Sequence, residues 1–415
     1  MGVHPPKLDT SIVKGGCIIM RELSARTADF TDSVIRRMTR IANEHGAVNL
    51  SQGFPDFEPP AELLERLSKV AWEGPHQYAL TWGAKNFRDA LARKYERFSG
   101  VSVDPESEIV VTCGSTEAMM AAMLSVTNPG DRVIIFSPFY ENYGADTILS
   151  GAEPIYVPLV PPAFRFDEAV LEDAFRQGAK ALILCNPSNP CGKVFTYEEL
   201  TVIAELAKKY DAYVVTDEVY EHIVYAPHRH VYMASLPGMK ERTIVCNSLS
   251  KTYSITGWRL GYVIAGSEIA DRVKKVHDFL TVGAAAPLME AAAVGLAFED
   301  CYYEELQDHY THMKEVFTGG LRQLGLSFTE PQGAYYVLAD MSEFGVTDDV
   351  AFCEWMAERV GVAAVPGSSF FQEDVRHLVW FHFAKKDDTL KEALRRLGSL
   401  REKAAGAKQV KWKRK

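Results

Sequence analysis

Short runs rich in β-branched and other apolar residues alternate with segments of helical periodicity through the middle of this chain, and this alternation strongly constrains its fold. Repetition of strand, helix and strand is typical of a mainly parallel sheet with helices on both faces. We therefore predict an α/β fold in which functional side chains lie where the strands end. The predicted strands are 108–113, 132–136, 180–185, 212–216, 243–246 and 259–265, and the predicted helices lie near 116–127, 168–177, 197–209 and 268–280.

The pattern changes near residue 303, where a long amphipathic helix is followed by an extended pair around 333–337, a helix at 348–360 and a closing helix at 388–404. This mixture predicts a smaller α+β domain, and a chain of 415 residues has room for one beside a large domain. The predicted parts are an N-terminal extension at 1–24, a segment at 25–62 that packs on the small domain, a large domain at 63–302, the small domain at 303–402 and a basic tail at 403–415.

Composition argues against several classes of function. The net charge of −10 disfavours a general binder of nucleic acid, although the tail is rich in lysine. Seven cysteines are scattered without a C-x-x-C pair, which favours a reducing cytoplasm over a disulfide framework or a zinc knuckle. The most apolar stretch is broken by a proline and a glutamate, so we expect neither secretion nor a membrane span. His222, His228 and His230 lack compact ligand spacing, which predicts surface histidines and no metal site.

Candidate phosphate ligands follow the first predicted strand. Gly114, Ser115 and Thr116 open the helix there, so backbone N–H groups and hydroxyls gather at a helix N-terminus, where an anion is stabilised. A plain helix cap formed by Ser115 or Thr116 is the alternative.

Three further strand ends carry aromatic or polar side chains. Tyr140 follows the second strand and offers a face on which a planar ring could stack, although a single aromatic residue there is more often packed in the core. Asn189 lies in a proline-rich turn after the third strand. Asp217 follows the fourth strand, and Tyr220 comes three residues later. A carboxylate paired with a pyridine nitrogen keeps that nitrogen protonated, which makes the ring an electron sink.

Lys251 lies in a small, hydroxyl-rich turn after Ser248, and Arg259 follows eight residues later. A lysine that forms a Schiff base must lose its proton easily, which burial and nearby cations promote, and an arginine can hold a phosphate with its planar fork. A solvated lysine is the ordinary alternative for one such turn. Ser248 and Lys251 also satisfy the S-x-x-K pattern of serine acyl-transfer enzymes, but the sequence has no S-D-N or K-T-G partner. Taken with the other strand ends, the turn predicts a pyridoxal 5′-phosphate site.

These motifs together resemble the class I/II aminotransferases, the fold type I pyridoxal phosphate enzymes, and in particular the aspartate and kynurenine aminotransferases, over nearly all of residues 25–400. The resemblance implies a seven-stranded sheet with helices on both sides. It also implies that an amino group is transferred from an amino acid to a 2-oxo acid by a ping-pong mechanism. It further implies a homodimer with shared active sites, while the charge and the apolar pattern predict no nucleic-acid or membrane partner. A binding protein on the same fold is the non-enzymatic alternative, but Lys251 together with Asp217 favours retained chemistry.

The resemblance also implies a role for each motif residue. Lys251 would be the Schiff-base lysine and the proton shuttle, with Asp217 beside the pyridine nitrogen and Tyr140 stacked on the ring. Asn189 and Tyr220 would donate to the phenolate oxygen of the cofactor. The implied phosphate ligands are Gly114, Ser115, Thr116, Ser248, Arg259 and, from the neighbouring subunit, Tyr78.

One position departs from the family pattern. An arginine that holds the substrate carboxylate normally precedes the Phe-x-Phe-Ala-Lys segment of the last strand, and Trp380 occupies that place here. Arg376 and His382 are the candidates to replace it, and the predicted substrate-binding residues are Gly53, Asn189, Trp380 and Arg376. An indole donates one hydrogen bond and carries no charge. Two activities therefore stay open, namely transamination and an elimination, replacement or cyclisation reaction of specialised metabolism with the same cofactor.

Overall fold

A computed structural model describes residues 23–28, 30 and 33–407 of the chain. The described residues up to Phe30 belong to one unit, in which Ala25–Thr27 make a short exposed 3₁₀ turn, and residues 33–407 belong to another. The predicted N-terminal extension lies almost wholly outside the described residues, as does the tail from residue 408 onward.

A seven-stranded sheet forms the centre of the larger unit, with the strand order β2-β8-β7-β6-β5-β3-β4. Only β8 runs antiparallel to its neighbours, so the prediction of a mainly parallel sheet is confirmed. In the described part of the chain the strands are β1 (Val48–Asn49), β2 (Ile109–Thr112), β3 (Arg132–Ser137), β4 (Glu153–Pro158), β5 (Ala179–Cys185), β6 (Tyr213–Asp217), β7 (Thr243–Ser248), β8 (Gly261–Ile264), β9 (Ser327–Phe328), β10 (Tyr336–Asp340), β11 (Val362–Ala363), β12 (Val365–Pro366) and β13 (Leu378–His382).

Helices cover both faces of this sheet. Alternate residues of β3 show the two faces, since Val133 and Ile135 pack with α4 and α8 while Ile134 and Phe136 pack with α6 and α7. The helices among the described residues are α1 (Val34–His45), α2 (Ala61–Glu73), α3 (Lys85–Ser99), α4 (Ser115–Val126), α5 (Glu141–Leu149), α6 (Glu168–Arg176), α7 (Tyr197–Lys209), α8 (Ser267–Thr281), α9 (Ala286–Ala292), α10 (Asp300–Gln323), α11 (Asp349–Trp355), α12 (Asp387–Leu397) and α13 (Leu400–Ala407).

The predicted strands agree with the structure to within two residues, but strand β4 was missed. It is an edge strand that pairs only with β3, and it contains Pro154 and Pro158. Proline is tolerated at a sheet edge because no ladder hydrogen bond is lost there, yet in a sequence it argues against a strand. The predicted helix at 348–360 is α11 followed by a π-helical turn, Met356–Val360, and the predicted closing helix is divided into α12 and α13 at Gly398.

The segment that precedes the large sheet lies against the C-terminal part of the chain. Strand β1 pairs in parallel with β11, and α1 contacts the π-helical turn that follows α11. A second sheet, β12-β13-β10-β9, is antiparallel throughout. The domain boundaries at residues 63 and 303 stay a prediction. No helix in the described residues is long and apolar enough to cross a membrane.

Candidate active site

The carboxyl ends of the parallel strands border a cavity of about 310 Å³. This is the place where parallel α/β sheets bind ligands, because the loops that leave adjacent strands diverge there. Most of the residues predicted for the site line this cavity: Gly53, Ser115, Thr116, Tyr140, Asn189, Asp217, Tyr220, Ser248, Lys251, Arg259 and Trp380.

Lys251 follows strand β7 and reaches into the cavity. Its Nζ donates to the carbonyl oxygen of Gly53 at 3.3 Å. Burial lowers the pKa of Lys251 to about 8; Asp217 opposes this effect and Arg259 adds to it. A lysine with this pKa is neutral in roughly a tenth of the molecules at pH 7, far more than an ordinary lysine, and only the neutral amine is a nucleophile or a base.

Asp217 ends strand β6 with 6% of its surface exposed. The hydroxyl of Tyr143 donates to its Oδ2 at 2.8 Å. Burial raises the pKa of Asp217 above the ordinary value, although the hydrogen bond from Tyr143 opposes this. It forms no ion pair with the described residues, and a buried carboxylate of this kind needs a cation to stay charged. A protonated pyridine nitrogen would meet that need. The sequence motifs did not point to Tyr143, which lies on α5, three residues after Tyr140.

Two tyrosines, Tyr220 and Tyr336, meet at the wall of the cavity. The hydroxyls of Tyr220 and Tyr336 share a short hydrogen bond, and burial raises the pKa of Tyr220 well above its ordinary value. Burial also raises the pKa of Tyr336, so both phenols are protonated near neutral pH, and the one that accepts the shared hydrogen bond still has its own proton to donate. The ring of Tyr336 stacks on Trp380 with centroids 4.6 Å apart. Tyr336 also lies so close to Gly53 that a Cβ on this glycine would be 2.9 Å from its hydroxyl oxygen.

Ser115 and Thr116 begin helix α4, where the first backbone N–H groups lack intrahelical partners. Gly114 precedes them with φ of +86°, and a Cβ there would lie 2.4 Å from the guanidinium of Arg259. Arg259 donates to the carbonyl oxygen of Thr256 at 3.0 Å and forms no ion pair with a described carboxylate. A phosphate dianion would be bound well by these groups, which are a helix N-terminus, two hydroxyls and a guanidinium without a counter-ion.

Two buried polar atoms of residues that line the cavity lack partners in the described part of the chain. Asn189 is 8% exposed and Trp380 is 1% exposed, and neither Asn189 Oδ1 nor Trp380 Nε1 has a hydrogen-bond partner among the described residues. Such orphaned atoms are rare in folded proteins and are expected where a bound group is to be received. Tyr140, also at the cavity, is a protonated phenol, because burial raises its pKa to about 12.

Four residues considered for the site do not line the cavity, namely Gly114, Tyr78, Arg376 and His382. Tyr78 is 87% exposed, as expected for a side chain that would serve a neighbouring subunit. Arg376 does not reach the cavity. It lies in the surface turn before β13, where its side chain is 55% exposed and pairs with Asp374 of the same turn. His382 cannot supply the missing cation either. Burial, followed by the charges of Lys385 and Lys251, lowers the pKa of His382 well below its ordinary value.

The loop histidines need a correction. The side chains of His222 and His230 are only 6% and 5% exposed, so the prediction of surface histidines was wrong for these two. They lie beside the buried carboxylates of Glu221 and Glu218, at 3.3 and 3.5 Å. No group of three or more possible metal ligands is present in the part of the chain that the structure describes.

Comparison with known proteins agrees with this geometry. The family model for aminotransferase class I and II matches residues 45–397. A probable N-succinyldiaminopimelate aminotransferase of Mycobacterium tuberculosis is 37% identical over 393 residues, which cover 92% of this chain and 99% of that protein. The methionine aminotransferase of Escherichia coli is 36% identical over 369 residues, with 89% and 96% covered.

A solved structure leads to the same family. That of the N-succinyldiaminopimelate aminotransferase from Mycobacterium tuberculosis has a TM-score of 0.88 to this chain and covers 91% of it, with 100% of its own length matched. Nothing in these comparisons supports the elimination, replacement or cyclisation alternative. The chain belongs to the class I and II aminotransferases, and it is a pyridoxal phosphate-dependent enzyme that transfers amino groups.

Proposed function

We propose that Lys251 is the Schiff-base lysine of this aminotransferase and the base that moves its protons. The observation that carries this proposal is the placement of a buried lysine, with a pKa of about 8, in the same cavity as the buried carboxylate of Asp217. When bound, the cofactor supplies an electron-withdrawing ring that acidifies the Cα–H bond of the attached amine. Nζ of Lys251 then takes the Cα proton of the donor, and in the second half-reaction it returns a proton to the carbon of the acceptor.

The other residues hold and orient the reacting groups. We assign Asp217 to the ring nitrogen, supported by Tyr143, and we assign Asn189 and Tyr220 to the phenolate oxygen. Tyr140 would stack on the ring. The proposed phosphate ligands are Gly114, Ser115, Thr116, Ser248 and Arg259.

The donor is proposed to be an amino acid with an apolar or aromatic side chain. The cations among the described residues that line the cavity are Lys251 and Arg259, and Arg259 lies at the phosphate end. The other wall is formed by apolar and aromatic side chains, including Phe54, Tyr336 and Trp380. A second carboxylate, as in aspartate, would find no cation on this wall. The carboxylate next to the reacting carbon would meet neutral donors, namely Asn189 and the indole of Trp380.

Replacing Trp380 with arginine tests this proposal. We expect Trp380→Arg to raise kcat/KM for methionine by roughly 30-fold, since a charged hydrogen bond contributes about 2 kcal/mol. The arginine is the smaller side chain, so the change needs no added volume. Steady-state kinetics with methionine and aspartate as donors provide the measurement, and the wild-type enzyme should favour methionine.

Trp380→Leu is the matched control, because it removes the indole without adding a charge. It should not raise kcat/KM. If Trp380→Arg left the value for methionine unchanged or lower, the carboxylate would not lie beside position 380, and the proposed substrate orientation would fail.

We also propose that the enzyme is a homodimer with shared active sites. Trp72, Tyr78 and Phe279 are each about nine-tenths exposed, at 90%, 87% and 91%, and Leu80 and Leu280 add to the same kind of surface. Large apolar side chains exposed together usually mark an interface. The proposal places Tyr78 at the phosphate of the partner subunit. A cytoplasmic location is likewise proposed, because the cysteines of the described residues are all free.

Mixed dimers test the sharing of sites. Tyr78→Phe should weaken cofactor binding in the homodimer by about tenfold, the value of one hydrogen bond to a charged group. In the mixed dimer one subunit carries Tyr78→Phe and the other carries Lys251→Ala. Only the site of the Tyr78→Phe subunit retains Lys251, and this site receives the unchanged Tyr78 of the other subunit. Cofactor affinity at this site, measured by absorbance titration, should return to the wild-type value. Affinity that stays low would place Tyr78 in its own subunit's site or in none.

A further inference from the structure

A buried histidine joins two parts of the molecule that the proposed function assigns to different active sites. His277 lies on α8 and has no exposed surface. Its Nδ1 is 2.7 Å from Glu117 Oε1, and its Nε2 is 3.0 Å from the backbone carbonyl oxygen of Thr81. The motifs of the sequence did not point to this residue, because Glu117 and Thr81 are distant from it along the chain.

The carboxylate of Glu117 and the carbonyl group of Thr81 are hydrogen-bond acceptors, and the hydroxyl of Thr281 also lies 3.1 Å from Nδ1. A neutral imidazole donates from one nitrogen only, so two donated hydrogen bonds require the imidazolium form, unless Glu117 itself carries the proton. Two other donors favour the carboxylate form of Glu117: the backbone N–H of Cys113, and the hydroxyl of Thr281 at 2.8 Å. Burial raises the pKa of Glu117, but the hydrogen bonds from His277 and Cys113 outweigh it and bring this pKa below its ordinary value. His277 and Glu117 therefore form a buried ion pair.

One end of the pair supports the phosphate side of the cavity. Glu117 lies in the first turn of α4, directly after Ser115 and Thr116, which line the cavity. Its carboxylate binds the N–H group of Cys113 on the other side of Gly114, so it fixes the turn between β2 and α4 as well as the start of the helix. A shift of this turn would move the backbone N–H groups that are aimed at the cavity.

The other end of the pair holds an exposed loop. Thr81 lies three residues after Tyr78, and its hydroxyl also donates to Asp278 on α8 at 3.2 Å. The carbonyl group of the next residue, Trp82, accepts from the N–H of Val111 in β2 at 3.1 Å. The loop that presents Tyr78 is thus attached to α8 and β2 at its base. Unlike these two hydrogen bonds, the one from His277 is donated by a buried, charged side chain.

We propose that the His277–Glu117 ion pair is a positioning element that sets cofactor affinity in both sites of the dimer. It holds the phosphate-binding turn of its own subunit and, through Thr81, the loop that carries Tyr78 to the partner. This inference rests on the proposed function, from which it takes the roles of Ser115, Thr116 and Tyr78. Neither member of the pair touches the substrate.

Mixed dimers separate an effect within one subunit from an effect across the interface. One subunit carries Lys251→Ala and His277→Gln, the other is wild type, and different affinity tags allow the mixed dimer to be purified. Only the wild-type subunit can then form a Schiff base with pyridoxal 5′-phosphate, and its absorbance reports the occupancy of that site. Relative to a dimer whose variant subunit carries Lys251→Ala alone, the half-saturating cofactor concentration should rise about tenfold, the effect of losing one charged hydrogen bond.

Glu117→Gln in place of His277→Gln should give a similar rise, and the two changes together should add little, because each breaks the same pair. Val273→Ala is the matched control for a loss of helix packing, since Val273 is fully buried one turn earlier on α8. It should leave the half-saturating concentration within about twofold. An unchanged concentration with His277→Gln would overturn the proposal, even if the His277→Gln homodimer bound the cofactor less tightly.

Tyr78→Phe in the same subunit distinguishes this failure from a failure of the proposed function. If Tyr78→Phe raises the half-saturating concentration and His277→Gln does not, the shared site stands and the role of the ion pair is overturned. If neither change has an effect, the shared site itself is overturned.

Discussion

Replacing Lys251 with alanine is expected to lower the rate of amino-group transfer by roughly 10⁵-fold, equivalent to about 7 kcal/mol in the barrier. The change removes both the amine that bonds to the cofactor and the base that moves the Cα proton. The measurement is the rate of 2-oxo acid formation from methionine in a single turnover, followed for hours because the expected rate is low.

Lys251→Arg is the matched variant for this experiment. It keeps a cation at the same position, but a guanidinium cannot form the Schiff base and does not lose its proton near neutral pH. We therefore expect its rate to be as low as that of Lys251→Ala. A rate within tenfold of wild type for either variant would show that Lys251 takes no part in the reaction. Binding of the cofactor to both variants is the control that the cavity is intact.

Replacing Asp217 with asparagine should lower kcat by roughly 10³-fold, equivalent to about 4 kcal/mol. Asparagine keeps the size of the side chain and can still accept the hydrogen bond from Tyr143, but it has no charge to hold a proton on a ring nitrogen. The effect should fall on the chemical step, so single-turnover rates at saturating methionine are the measurement, with cofactor occupancy checked by absorbance.

Tyr143→Phe is the control for the Asp217 variant. It removes one hydrogen bond to the carboxylate and leaves the charge in place, so the loss should be near tenfold. If Asp217→Asn were no slower than Tyr143→Phe, the carboxylate would act as a packing residue, and its assignment to the ring nitrogen would be wrong.

The parts of the site that lie at the ends of parallel strands could be predicted from the sequence. Asp217 and Ser248 end buried strands, and the turn at Gly114 follows one; these strands read as apolar runs because both sheet faces are covered. Their order along the chain then places them at one edge of the sheet. Sequence pattern alone was sufficient here because each side chain is positioned by its own strand.

Residues placed by contacts between distant segments could not be predicted in this way. Tyr336 meets Tyr220 only because the antiparallel sheet of the C-terminal region lies over the cavity, and the two are 116 positions apart. The surface position of Arg376 depends on where the turn before β13 lies. His222 and His230 have a polar local sequence, yet they are buried beside Glu221 and Glu218. Glu221 is next to His222 in the sequence, but His222 also packs against Phe98 and Tyr303 from distant segments, and the local pattern does not indicate these contacts.

Transfer of the amino group itself is the central claim, and a single turnover with ¹⁵N-labelled methionine and no acceptor tests it most directly. We predict one equivalent of the 2-oxo acid per active site, with the label retained on the enzyme until a 2-oxo acid acceptor is added and then found in the new amino acid. Release of the label as ammonium, together with loss of the methionine side-chain sulfur, would contradict amino-group transfer and indicate an elimination.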